Sequence, residues 1–138
     1  MRTPAGELAL LRPRAGDYVR DVLAELSGAE AEFLDFDAAP AAACSDALCV
    51  YELPGAGRTW RILATRSRDL VRWDQMVAAC AAADIVVSDR TLPDGCRPKW
   101  LKADRAALRE SGGLAFSLQG APSVVSVADQ LGRHPWVY

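Results

Sequence analysis

Apolar and polar positions change rhythm twice between residues 59 and 90. The pattern passes from a period of two, through a helical period, to an unbroken apolar run. Trp60, Ile62 and Ala64 alternate with Arg61, Leu63 and Thr65, which predicts a strand over 59–65 with one packed face. Ser67 is placed to N-cap a helix, with Asp69 in its first turn near the positive end of the dipole. Leu70, Trp73, Val77 and Cys80 follow at helical spacing as its buried face, widened by Met76 and Ala83. After Asp84, the β-branched run Ile85-Val86-Val87 has the character of a buried strand. A strand, a helix of about four turns and a second strand make a βαβ crossover, which is parallel and right-handed. Two antiparallel strands with a helix between them are the competing arrangement.

The flanks add layers to this unit. Residues 8–11 form a short apolar strand stopped by Arg12-Pro13. Asp17 is placed to cap a helix whose buried face is Tyr18, Val19, Val22, Leu23 and Leu26, ending at Gly28. Residues 29–43 have few signals and read as a loop pinned by Phe33 and Phe36. Residues 49–53 read as a strand, and Pro54-Gly55-Ala56-Gly57 turns it into the central unit, so 49–65 is a β-hairpin. A Pro- and Gly-rich loop follows over 89–98, then a short strand over 99–103. Asp104 caps a helix over 105–110, closed by Gly112-Gly113, and 114–118 with 124–127 form a terminal hairpin. The expected class is therefore α/β: a mixed sheet with a central βαβ unit and three helices.

A chain of 138 residues, 51% of them hydrophobic, is long enough for one domain that buries roughly two-thirds of its extended surface. The expected division is a single soluble domain over 1–138, with its ordered core at 8–127 and tails at 1–7 and 132–138. No apolar run reaches the length of a spanning helix, and the start lacks the apolar stretch of an export signal. The first strand begins almost at once, which suggests a domain cut from a longer protein.

Net charge is only −2, so no overall field recruits nucleic acid or membrane. Its distribution is uneven. Eight acids and no base lie between Asp21 and Gly57, while eleven bases face six acids from Arg58 to Arg109. Arg58, Arg61, Arg66, Arg68 and Arg72 fall near Trp60 and Trp73, the combination that single-stranded nucleic acid needs for phosphate contact and base stacking. A solvated face accounts for the same residues, because 14 of the 16 basic residues are arginine throughout the chain, as a compositional bias would give.

Reaction chemistry is sparse. His134, in the tail before Pro135-Trp136, is the one histidine, and a hydrolytic zinc site needs several converging ligands. No nucleophile elbow, phosphate loop or dinucleotide fingerprint is present, and no cofactor or small-molecule substrate is expected. Cys44 and Cys49 are five apart; Cys80 and Cys96 are sixteen apart across the strand at 85–88. Two disulfides, paired 44–49 and 80–96 as the most local choice, a four-cysteine zinc site, and buried free thiols all remain open.

Three segments together resemble a known family: ACAAADIVVSD with the later Cys96, KADRAALRESGGLAFSL, and CSDALC followed by the hairpin and WRILATRS. The chain resembles, over about residues 8–118, the C-terminal region of ComEC-type competence proteins of alphaproteobacteria. Those are inner-membrane channels for single-stranded DNA in natural transformation, many with a metallo-β-lactamase-like domain. The resemblance implies a degenerate half of that fold, a partner in the channel portion of the same polypeptide, and a role supporting the channel or touching single-stranded DNA; if the cysteines pair as 44–49 and 80–96, the domain faces the oxidising, periplasmic side. The family's His-His-Gly-Ser metal turn would fall at Thr65-Arg66-Ser67-Arg68, where no histidine stands, so neither ligands nor nuclease activity carry over. The expected role is a non-catalytic domain supporting the channel. The alternatives are a nuclease whose metal site lies outside this chain, and a cysteine-based zinc or redox module.

Overall fold

The computed structural model of the protein describes residues 1–11, 16–28 and 33–132. In chain order these form β1 (Leu8–Leu10), α1 (Asp17–Ser27), β2 (Phe33–Asp35), a 3-10 turn (Phe36–Ala38), β3 (Ala42–Cys44), β4 (Leu48–Gly55) and β5 (Arg58–Thr65). Then come α2 (Trp73–Ala82), β6 (Ile85–Val87), β7 (Leu101–Ala103), α3 (Arg105–Ser111), β8 (Leu114–Ser117), β9 (Ser123–Ser126) and α4 (Val127–Leu131). A five-stranded mixed sheet runs in the order β3-β4-β5-β6-β7, and β1-β2 and β8-β9 are separate two-stranded pairs.

The hairpin and the crossover are both present. β4 and β5 pair antiparallel from Leu48↔Thr65 to Gly55↔Arg58. Ala56 and Gly57 close them with φ of 50° and 77°, the positive values that a two-residue turn matched to strand twist requires. β5 pairs parallel with β6, and β6 with β7, so the β5-α2-β6 unit is a parallel crossover. α3 and the terminal hairpin also form as the sequence predicts, with the Asp104 side chain accepting from Ala107 N and Gly112 in the left-handed region at the helix end.

Strand β5 is buried more fully than a single packed face requires: Ile62, Leu63, Ala64 and Thr65 are all buried. Trp60 and Ile62 of β5 join Cys49, Tyr51, Leu53 and Ile85 on one sheet face, beneath Phe36, Ala39 and Ala9. Leu63 and Val86 point to the other face, against Met76, Cys80 and Ala83 of the helical side and Leu92 and Cys96 of the loop after β6. Each face therefore has its own cover.

Four expectations are corrected. First, α2 begins at Trp73 rather than after Ser67, and Leu70 and Trp73 are 91% and 64% exposed instead of buried. Ser67 Oγ accepts from Asp69 N in a local turn, and Arg90 Nη1 donates to Asp69 O, so the backbone of this segment is engaged outside a helix. The buried stripe is only Met76 and Cys80, one turn apart. Second, the apolar stripe of α1 faces outward, with Tyr18 80% and Leu26 79% exposed, and its N-cap is Gly16 rather than Asp17. The pair β1-β2 that α1 crosses is three residues long per strand, too small a platform to cover a helix face. Third, within the stretch read as a loop, 33–35 and 42–44 are strands, recruited by pairing with β1 and β4 rather than by their own propensity. Fourth, the described residues hold four helices, since Ser126 caps α4 by accepting from Asp129 N where the hairpin strand was expected to continue. Residues 12–15, 29–32 and 133–138, including Arg12-Pro13 and His134, lie outside the described residues.

The residue after β8 meets the sheet backbone to backbone. A Cβ on Gly55 would lie 2.5 Å from the Leu118 carbonyl oxygen, so only glycine lets these two backbones meet. Gly55→Ala is expected to cost about 2 kcal/mol through overpacking. Gly120→Ala has open space but a φ of 79°, and should cost about 1 kcal/mol from backbone conformation alone. Denaturant titration of the unreduced proteins checks this order, which reversed values would contradict.

Candidate functional site

The parallel strands β5, β6 and β7 end on one edge of the sheet, where α/β proteins commonly place ligands. The side chains there are Thr65, Ser88 and Asp104, all buried. Thr65 Oγ1 and Ser88 Oγ are 2.8 Å apart and bonded to each other, and Arg90 N donates to Ser88 Oγ at 3.0 Å. Asp104 accepts from Leu92 N at 3.0 Å through one oxygen and from Ala107 N at 3.1 Å through the other. Lys102 Nζ stands 3.7 Å from that carboxylate and donates to Pro93 O at 3.0 Å. Arg105 Nε donates to Asp89 O at 2.8 Å. A hydroxyl near a carboxylate has the composition of a nucleophilic centre, but both Asp104 oxygens are held by backbone donors and the hydroxyls satisfy one another. This chemistry fixes the 88–98 loop and the start of α3.

At the opposite end of β6, Asp84 is buried and accepts from Arg61 N at 2.8 Å and from the Arg58 guanidinium. Its own backbone N donates to Arg61 O, and its carbonyl accepts from Trp100 N at 2.9 Å. Asp84 thus ties β5, β6 and the entry to β7 together. Burial alone would raise the pKa of Asp84, but the Arg61 N–H and the Arg58 bond and charge outweigh it and hold the carboxyl below its ordinary value. Burial likewise opposes ionisation of Asp104, and the Leu92 and Ala107 donors with Lys102 overcome it, again lowering the pKa.

The five arginines do not converge. Arg58 and Arg66 flank β5, separated by about 26 Å of extended chain. Arg58 pairs with Asp84 and lies over the Trp60 ring, 4.0 Å from its centroid. Arg61 meets Glu52 directly across the hairpin at 3.2 Å. Arg66 pairs with Asp37 at 2.6 Å, and Arg72 with Asp74 at 3.1 Å. Arg68 is exposed, with no ion pair among the described residues. Only Arg68 and Arg72 lie close along the chain to an exposed aromatic, Trp73, which covers Gly95 of the 88–98 loop. Sequence periodicity hid that exposure by placing Trp73 on the apolar stripe. The anchoring role of Asp84 was legible only as a helix-stopping position.

All four cysteines are paired, Cys44 with Cys49 and Cys80 with Cys96. Cys44 and Cys49 stand directly opposite on β3 and β4, with Cα atoms 4.1 Å apart. Ser45 N donates to Leu48 O at the next position, so the pair occupies a non-hydrogen-bonded site, where antiparallel strands bring Cα atoms closest. Cys96 reaches back to Cys80 through a turn in which its N donates to Pro93 O at 2.9 Å. Among the described residues, no group of three or more His, Cys, Asp or Glu side chains is placed to hold a metal ion.

Both lowered carboxyls bind a proton more weakly folded than unfolded, so the stability they supply is complete above the ordinary value of 3.8 and is lost as pH falls through their folded values. Asp104→Ala is expected to cost about 1–3 kcal/mol at neutral pH, by removing an N-cap and a loop anchor. It should also flatten the loss of stability below pH 3.8, measured by denaturant titration across acid pH. An unchanged acid profile would exclude this role.

The chain matches no protein-family model, no curated protein and no solved structure.

Proposed function

We propose that this chain is a non-catalytic, disulfide-stapled domain of a ComEC-type channel for single-stranded DNA uptake, facing the periplasm beside the channel portion of the same polypeptide. The observation that carries the reading is the pair of disulfides, one bonded into each side of the central sheet's core. Such bonds persist in an oxidising compartment and are rare in a reducing one. They agree with the resemblance at CSDALC and at ACAAADIVVSD with Cys96. In this reading the five-stranded sheet is a degenerate half of a metallo-β-lactamase-like layer, and the polar groups at its carboxyl edge fasten a loop. Among the described residues, no helix is long and apolar enough to cross a membrane, so the channel is supplied by other segments of the polypeptide.

The strand contact in this reading is narrower than the set Arg58, Arg61, Arg66, Arg68 and Arg72. Arg68 supplies the phosphate contact and Trp73 a stacking surface, while Arg58, Arg61, Arg66 and Arg72 are held by Asp84, Glu52, Asp37 and Asp74. Fluorescence anisotropy with labelled oligo-dT at low salt tests it. Trp73→Ala should weaken binding about tenfold, a typical loss for one stacked base. The same variant should unfold within about 1 kcal/mol of the parent, because the ring is largely exposed. Arg68→Gln should make binding less salt-dependent. Absence of binding by the parent protein at low salt would remove the DNA contact. Four alkylated thiols in unreduced protein exported to an oxidising periplasm would remove the compartment assignment.

A further inference from the structure

The two disulfides differ in access and in what else holds their surroundings. Cys80 and Cys96 are 0% and 1% exposed, and their bond joins α2 to the loop after β6 across sixteen residues. They share one core cluster with Leu63, Met76, Val86 and Leu92. A reductant reaches those sulfurs only when the helix or the loop opens. Cys44 and Cys49 are five residues apart. Cys44 is half-buried on β3, the edge strand of the central sheet, next to the exposed turn residues Ser45 and Asp46.

The Cys44–Cys49 bond repeats a constraint that hydrogen bonds already supply. Ser45 N donates to Leu48 O at 2.8 Å, Ser45 Oγ donates to the same carbonyl at 3.3 Å, and Leu48 N donates to Ser45 Oγ at 3.2 Å. The turn is closed without the sulfurs. On their other side the pairs Ala43↔Val50 and Ala42↔Tyr51 continue the ladder, and Glu52 N donates to Ala41 O. Breaking the S–S bond therefore leaves β3 on β4, with two thiols facing each other in position to re-form it. Cys80–Cys96 has the opposite character, since it is sealed and links segments that meet mainly through it. A reachable bond across a turn that is already closed suits reversible exchange.

The surroundings also select which sulfur is attacked. Cys49 is 1% exposed and lines a small cleft of about 110 Å³ with Asp35, Asp37 and Arg66, two carboxylates against one guanidinium that Asp37 already pairs. An incoming thiolate is both obstructed and repelled there. Cys44 is half-buried and does not line that cleft. We infer that Cys44–Cys49 is a redox-active disulfide, reduced by a dithiol and re-formed with the fold intact, with Cys44 Sγ as the sulfur attacked and Cys80–Cys96 as the permanent staple. A reductant thiolate bonds to Cys44 Sγ; the S–S bond breaks, and its electron pair leaves on Cys49 Sγ, which takes up a proton. The reductant's second thiolate then displaces Cys44 from the mixed disulfide, and Cys44 is protonated in turn. The reductant loses two electrons and becomes a disulfide, while the protein gains two thiols. The inference goes beyond the channel reading and stands whether or not the protein touches DNA.

The test uses the full chain, oxidised and without denaturant, with dithiothreitol as the dithiol. Samples are quenched over time with iodoacetamide, and each cysteine is read by peptide mass spectrometry. Cys44 and Cys49 should be alkylated together, at least about a hundredfold faster than Cys80 and Cys96, which wait for local opening. With only the first bond reduced, the Leu63 and Val86 amides should keep their protection from hydrogen exchange, and added glutathione disulfide should restore the bond. Two single variants identify the attacked sulfur. Cys44 in the Cys49→Ser protein should react with dithiodipyridine at least about tenfold faster than Cys49 in the Cys44→Ser protein, because access limits the buried thiol. If either variant fails to fold, the parent protein decides: acid-quenched reaction with glutathione should leave the glutathionyl group on Cys44. Reduction of both disulfides at one rate, earlier reduction of Cys80–Cys96, or loss of core protection once Cys44–Cys49 opens would overturn the redox assignment. Equal or reversed variant rates, or a glutathionyl group on Cys49, would overturn Cys44 as the sulfur attacked.

Discussion

Burial of β5 on both faces is the constraint on which the other elements depend. Ile62, Leu63, Ala64 and Thr65 are consecutive and all buried, so whatever lies above and below this strand must exclude water from both sides at once. On one side the cover is a single short helix, and only Met76 and Cys80 of it are buried. Two side chains one turn apart make a narrow seal. The loop carrying Leu92 and Cys96 completes it, and the Cys80–Cys96 bond, closing about fifteen residues, is worth roughly 3 kcal/mol on the chain-entropy account. The other side is covered by pieces of three residues each, β1, β2 and the 3-10 turn, which have little cooperativity of their own.

The two buried carboxylates follow from the same constraint. A strand sheathed on both faces cannot be fixed by polar side chains along its length, so polar anchors gather at the ends of the parallel strands. Asp84 anchors the amino end of β6 through Arg61 N and Arg58, and Asp104 anchors the exit of β7 through Leu92 N and Ala107 N. Each is buried where an unpaired charge would be costly, and each is surrounded by donors that favour the ionised form. Their net effect is to make the loop and strand ends as fixed as the apolar centre.

Legibility in the sequence tracked how far each signal was local. The hairpin turn, the Asp104 cap, the crossover and the cysteine pairing could be read because turn chemistry, capping and chain proximity act over a few residues. Trp73 and Leu70 misled because a helical period specifies which residues share a face, not whether anything covers it. Their actual state depends on Arg90, 21 residues away from Asp69, whose carbonyl it binds. The same gap explains α1, whose Tyr18 and Leu26 form a proper apolar stripe beside a platform too small to receive it. The strands at 33–35 and 42–44 were invisible for the converse reason: their partners on β1 and β4 define them. At the candidate DNA surface, the arginines were legible as residues, but their carboxylate partners at Asp37, Glu52 and Asp84 were not.

The cover of the sheet is uneven between its two faces. On the helical side, a covalent bond draws the loop onto Leu63 and Val86. On the other side, Cys44–Cys49 fastens β3 to its neighbour within the sheet and draws nothing across it. The covering pieces there are held by aromatic packing, at Phe36 against Tyr51 and at Trp100 between Trp60 and Phe116, and by the Arg66–Asp37 pair on the 3-10 turn. Small residues at Ala9 and Ala64 leave space between those aromatic contacts. The two faces of β5 are therefore closed in different ways: one by a covalent staple across the helical side, the other by aromatic contacts and the Arg66–Asp37 pair.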